Sequence, residues 1–167
     1  MHTHKHPAHS LGFRQLKDGL NAAVCQGLVS ESKGPDDLTL YCYTRQCVFD
    51  RAWSPITLAA RGLVLAPDRV VATPFPKFFN LGEVDWARPP ERGEPFEVFE
   101  KMDGSLIVAF FYNGQWHCAT KGSFNSTQAQ WAQARVRDMG SHLCSDLTYL
   151  FEAIYPDNRI VVPYDYE

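Results

Sequence analysis

Nothing in these 167 residues approaches the ~20 consecutive apolar residues that a membrane-spanning helix requires. The His-rich start, Met1 to His9, also lacks the apolar stretch of a secretory leader. No membrane role is read from the chain, and a cytoplasmic location is expected. The five cysteines, Cys25, Cys42, Cys47, Cys118 and Cys144, are odd in number and contain no C-x-x-C pair. That argues against a disulfide framework and against a zinc site, and they are read as reduced structural thiols. A basic surplus is missing too. Sixteen Lys and Arg against 19 Asp and Glu give a net charge of −3, whereas a general nucleic-acid-binding domain carries a basic face or stripe. Any phosphate binding must therefore be local. There is no P-loop, no internal repeat and no low-complexity tract beyond the N-terminus. What is present is 45% hydrophobic content, enough to give one domain a real core.

The periodicities order that domain. His2, His4, His6 and His9 alternate within residues 1–9, read as a flexible His-rich tail without function. Phe13, Leu16, Leu20 and Val24 recur at helical spacing after Ser10 as a cap, with Gly27 as a stop. Glu31 to Asp37 reads as a polar loop. Leu38 to Tyr43 and Cys47 to Phe49 read as strands. A hairpin over Leu63 to Thr73, turning at Pro67-Asp68, pairs Ala66 with Arg69 and sets Arg61 opposite Pro74, which makes Lys77 its neighbour. A second hairpin over Leu106 to Thr120, turning at Asn113-Gly114, pairs Tyr112 with Gln115 and returns Lys121 opposite Leu106. Glu83 to Pro95, with three prolines, is a linker. A helix follows over Thr127 to Met139, capped by Asn125 or Ser126 and ended by Gly140. Strands over Thr148 to Ile154 and Arg159 to Val162 flank a Tyr155-Pro156-Asp157-Asn158 turn.

Between strand-like runs lies Glu100-Lys101-Met102-Asp103-Gly104-Ser105. It resembles the Lys-x-Asp-Gly motif of enzymes that carry a nucleotide on a lysine. A lysine amine can attack the α-phosphate of ATP when it is neutral and held in line. Glycine lets backbone approach phosphate with no Cβ in the way. Arg61, Lys77 and Lys121 converging on Lys101 would crowd it with like charge and favour the neutral amine, and would also bind phosphates. Asp103 falls on the side of Lys101 if the strand continues through it, and then orients the amine or a metal-bound water; equally, it reads as a turn aspartate before glycine. Ser105 reads as a turn or backbone-bonding residue. Glu152 shares a strand face with Leu150 and Ile154, where a carboxylate needs a partner such as a ribose hydroxyl or Arg159, unless that face is an exposed edge. Phe75, Phe78 and Phe79 suit base stacking or core, with core the default for Phe75 and Phe78. His117 and His142 read as structural.

The order of these segments is informative. Ala60-Arg61-Gly62, Pro74-Phe75-Pro76-Lys77-Phe78-Phe79-Asn80, Lys101-Met102-Asp103-Gly104-Ser105, Thr120-Lys121-Gly122-Ser123 and Phe151-Glu152 through Asn158-Arg159-Ile160-Val161 together resemble the phage-type RNA ligase 1 family over residues 10 to 162. The resemblance implies an α+β nucleotidyltransferase (ATP-grasp-like) domain with antiparallel sheets and a few helices around an ATP cleft. It implies three steps: AMP passes to Lys101, then to an RNA 5′-phosphate, and a 3′-hydroxyl displaces it to seal the strand. Lys101 is then the AMP acceptor, with Asp103 and Lys121 beside it in catalysis. Arg61 and Lys77 become phosphate contacts, Phe79 a pocket aromatic and Glu152 the ribose acid, while Glu100 and Gly104 complete the nucleotide site. Magnesium would neutralise the departing pyrophosphate; its ligands are not assigned. The family continues with a Glu-Gly motif, a Lys-x-Lys motif and a C-terminal specificity region. Here fifteen residues follow Glu152 and Lys121 is the last lysine, so residues 10–167 are expected to form an adenylyltransferase domain lacking those parts. Two other readings stand beside an RNA ligase: a nucleotide- or RNA-binding remnant, and half of a split enzyme completed by a second copy or another chain.

Overall fold

The computed structural model describes residues 6–164. Met1 to Lys5, most of the expected tail, lie outside the described residues. The rest of that segment is not tail: α1 (Pro7–Ser10) has Pro in its first turn and buries Ala8. Ser10 therefore ends a helix instead of capping the next one. The amphipathic helix α2 (Phe13–Cys25) starts from Gly12 and buries Leu16, Leu20 and Ala23 on one stripe, the face its periodicity demands.

Two antiparallel sheets follow. The first has order β1-β2-β3-β4, from β1 (Val29–Lys33), β2 (Thr39–Tyr43), β3 (Arg61–Leu65) and β4 (Val70–Ala72). The second has order β6-β5-β7, from β5 (Ser105–Tyr112), β6 (Gln115–Thr120) and β7 (Tyr149–Ala153). The architecture is α+β, with helices outside both sheets. Strand alternation builds it. In β2, Leu40 and Cys42 face the second sheet, while Tyr41 faces α2. In β5, Val108 and Phe110 meet the first sheet, while Ile107 and Ala109 meet Ala132 and Val136 of α5 (Thr127–Met139). The layers are helix, sheet, sheet, helix.

Both hairpins form, one with a shift. Asn113 (φ 48°) and Gly114 (φ 81°) make the two-residue turn that pairs Tyr112 with Gln115, and the register runs on to Ile107 opposite Thr120. In the first hairpin the Ala66 N–H donates to Arg69 O at 2.9 Å. A bulge between Val64 and Leu65 then moves the register by one. Arg61 accordingly reaches Phe75, donating to its carbonyl at 3.4 Å.

Four local expectations are overturned. Glu31 to Lys33 belong to β1, an edge strand with a polar outer side, and only Pro35–Asp37 leave the sheet, as a 3-10 turn. Cys47 to Phe49 are helical: α3 (Arg45–Phe49) is nucleated by Thr44, whose hydroxyl accepts the Cys47 N–H, a capping bond that outweighs β-branched composition. The run Phe96 to Glu100 has no strand partner and no regular structure. Arg159 to Val162 form no strand, and the Val161 and Val162 amides go to a side chain, as described below. By contrast, α5 is capped by Ser126 and ends at Gly140 as its sequence predicts.

The second sheet has unlike edges. Beyond β6, the Gln133 amide accepts the Cys118 N–H (2.8 Å) and donates to Trp116 O (2.7 Å), imitating a neighbouring strand. On the other side, among the described residues, β7 pairs with β5 alone. All five cysteines are free. Burial pushes the Cys118 thiol up to about 12. His117 is buried, stacked on Phe110 and 3.2 Å from Tyr112 O.

Candidate active site

Two hairpins and the edge strand deliver the candidate residues to one end of the sheets. Lys101 is exposed on the segment that precedes β5. It lines a cleft of about 470 Å³ with Arg61, Phe78, Glu100, Met102 and Glu152. Arg61 enters from the start of β3 and lays its guanidinium 4.7 Å over the Phe78 ring. Glu152 enters from β7 because Leu106 pairs with it across the sheet. Its Oε1 accepts the Gly104 N–H at 3.0 Å, so the partner the sequence asked for is the backbone of the loop that follows Lys101.

Gly104 also lines the cleft, and its missing side chain is required there. A Cβ would sit 2.5 Å from Ala153 O and 3.0 Å from Glu152 Cγ. Phe75 and Phe78, read as core, are instead 62% and 60% exposed and form a wall of the cleft. The prolines at 74 and 76 give the segment no strand to fold it inward. Met102, Leu106 and Phe151, which the sequence reading passed over, also line the cleft. Leu106 could have been found from its place opposite Glu152 across the sheet, and Leu150, which also lines the cleft, from alternation out of Glu152; alternation puts Phe151 on the other face.

Lys121 ends the second hairpin near Arg61. Both cations act on Cys42, where burial raises the thiol pKa and Lys121 and Arg61 oppose the rise. The Lys121 ammonium lies 5.1 Å from the Tyr43 ring centre. Gly62 (φ +85°) makes this approach possible, since a Cβ would stand 3.3 Å from Lys121 Cα. Gly62→Ala is expected to cost about 1–2 kcal/mol through left-handed backbone strain. That should lower Tm by about 3–6 °C in a thermal melt.

Lys121, Lys77 and Phe79, expected beside Lys101, do not line the cleft. Phe79 packs edge-to-face between Trp53 (5.3 Å) and Trp86 (5.7 Å). Lys77 lies 4.0 Å from the Phe79 ring centre and 3.4 Å from Glu83 Oε1, and donates to Phe78 O. The Asn80 N–H, donated at 2.8 Å, holds the Glu83 carboxyl below the usual range, with Lys77 assisting. Of the expected trio of cations, Arg61 lines the cleft, Lys121 lies outside its lining, and Lys77 is paired to a carboxylate.

Asp103 also departs from expectation. β5 begins only at Ser105, so strand alternation does not carry Asp103 to the side of Lys101. It lines a separate cavity of about 210 Å³ with Arg159 and Tyr164. Its Oδ2 accepts the Val162 and Val161 N–H groups, both at 2.8 Å. Those bonds hold its carboxyl below the usual carboxylate range. The stabilisation is therefore complete above the unfolded value and is lost only as pH falls through the lowered one.

Among the described residues no three His, Cys, Asp or Glu converge on a metal position, and no helix is long and apolar enough to cross a membrane. The geometry is that of an open cleft with an exposed amine, a guanidinium, a carboxylate and aromatic walls. Residues 59–166, which hold every one of these groups, match the RNA ligase family. The chain belongs to the phage-type RNA ligase 1 family. It is 26% identical over 202 residues to the RNA ligase of Rhodothermus phage RM378, covering 94% of this chain and 45% of that protein. It is 32% identical over 139 residues to the "Putative bifunctional polynucleotide kinase/RNA ligase" of Autographa californica nuclear polyhedrosis virus, covering 66% of this chain and 20% of that one. The chain thus spans less than half the length of these relatives, and within this ligase family its matched segment carries the whole cleft.

Proposed function

We propose that the chain is the adenylyl-accepting nucleotidyltransferase part of an ATP-dependent RNA ligase, acting on RNA with 5′-phosphate and 3′-hydroxyl ends. The observation that carries this reading is the cleft that gathers Lys101, Arg61 and Glu152 between aromatic walls. In the first step the neutral Lys101 amine attacks the α-phosphorus of ATP. A nitrogen–phosphorus bond forms, the bond to the bridging oxygen breaks, and pyrophosphate leaves with the electron pair while the amine proton passes to solvent. Arg61 and Lys121 balance charge on the phosphates. Glu152 suits a ribose hydroxyl, and the Phe78 face suits the base. AMP then moves to an RNA 5′-phosphate and is displaced by a 3′-hydroxyl. Among the described residues no cage of protein ligands forms, so magnesium would come bound to the nucleotide's own phosphates and would neutralise the departing pyrophosphate.

Incubation with ATP labelled on the α-phosphate, in magnesium, is expected to leave one acid-labile label on the chain, mapped to Lys101 by peptide mass. A label on another residue, or none after any AMP carried from purification has been removed, overturns the proposal. The Lys77–Glu83 pair favours one second reading, a nucleotide-binding remnant with a phosphate ligand already neutralised. It gives reversible ATP binding and no covalent product. The open side of β7 is where a second copy or a complementing chain would add if the ligase is split.

A further inference from the structure

We propose that residues 158–164 form a strap that positions Lys101 from outside the cleft, with Asp103 as its anchor. Asp103 is then a positioning residue whose carboxylate serves the chain itself and not a ligand. The inference rests on reading Lys101 as the AMP acceptor.

The strap grips the residues directly downstream of Lys101 by main chain and side chain. Asp103 Oδ2 takes two strap amides, Val161 N–H and Val162 N–H. In return the Asp103 N–H donates to the Tyr164 hydroxyl at 2.8 Å. Two residues on, the Ser105 hydroxyl donates to Asn158 Oδ1 at 3.1 Å. Asn158 is itself fixed: it is only 7% exposed, accepts from Gln128 Nε2 at 3.1 Å and donates to Ala153 O at 2.7 Å. The strap is therefore tied to α5 and β7 before it reaches the loop. Between its two grips, Gly104 is held by Glu152.

This arrangement favours a structural role for Asp103. Its Oδ2 already accepts two charge-assisted backbone bonds, which makes that oxygen a poor base and a poor metal ligand. The same bonds fix the backbone two residues from the nucleophile. Upstream, residues 94–100 have no regular structure. The position of the Lys101 backbone therefore depends on the downstream clamps. A shift of about 1 Å at a reacting group can cost on the order of 10²-fold in rate.

The experiment uses the full chain with Asp103→Ala, Asp103→Asn and Tyr164→Phe, and two independent readouts. Amide hydrogen exchange at Val161 and Val162 should quicken by at least about tenfold in Asp103→Ala, with core strand β5 unchanged. Single-turnover labelling of Lys101 should slow on the order of 10²-fold in Asp103→Ala while ATP affinity moves by less than about threefold. Asp103→Asn keeps an acceptor oxygen and should recover to within about tenfold of wild type. Tyr164→Phe should fall between wild type and Asp103→Ala. Unchanged exchange at both valines overturns the strap. An Asn variant as slow as Ala overturns positioning, because the charge would then be acting on a ligand. A wild-type chain that takes no label overturns the acceptor reading alone, and the exchange data then decide the strap.

Discussion

Gly104→Ala is expected to damage both stability and labelling more than any other single-carbon change in the chain. The added Cβ meets a backbone oxygen, Ala153 O, at 2.5 Å, with Ala153 C at 3.2 Å behind it. Neither atom can rotate away as a side-chain tip could. β5 and β7 must separate at the point where Ser105 pairs with Ala153, and the Gly104 bond to Glu152 goes with them. Overpacking of this kind costs roughly 1–3 kcal/mol, and the displaced loop should lower the labelling rate on the order of 10²-fold. Gly122→Ala is the control. It lies beside Lys121, has nothing within 4 Å of a new Cβ, and should stay within about 0.5 kcal/mol of wild type. Thermal melts and labelling rates of the two variants side by side check the result; equal behaviour would show that the contact with Ala153 does not matter.

Lys101→Arg should abolish the covalent product while leaving nucleotide binding in place. Arginine keeps the length and charge of the side chain, so the cleft still offers phosphates a cation. Its guanidinium stays protonated at any working pH, so no lone pair is available for the α-phosphorus. Lys101→Ala should be equally inactive but bind ATP more weakly. Intact mass after incubation reads the first effect and calorimetry the second. An arginine variant labelled at the wild-type rate would move the acceptor to another residue.

The parts of this fold that short-range rules govern could be read from the sequence. The Asn113-Gly114 turn requires two left-handed residues in a row and sets its register by itself; Ser126 and Gly140 bound α5 in the same self-contained way. The misread parts depend on partners far along the chain. Phe96 to Glu100 has strand composition, but among the described residues no strand comes to pair with it. Val161 and Val162 look like strand residues, but their amides are taken by a carboxylate 58 and 59 positions away. β1 was hidden for the opposite reason, as an edge strand whose polar outer residues lack the strand signature. In the site, the hairpin turns set Arg61 beside Phe75 and returned β6 along β5, but Lys121 does not line the cleft with Lys101. Nothing local indicated that Glu83 would take Lys77, or that Asp103 would bond the backbone of Val161 and Val162 and not its own turn.

Lys101 marks a border in the chain. On one side come residues without a ladder bond; on the other, from the second position on, Asp103, Gly104 and Ser105 are each bonded. A side chain mounted there is built like a gate leaf on a post, fixed along one edge and open on the other. On the proposed reading of Lys101, such an edge lets an adenylyl group taken from one substrate turn toward a second while the sheet behind it stays closed.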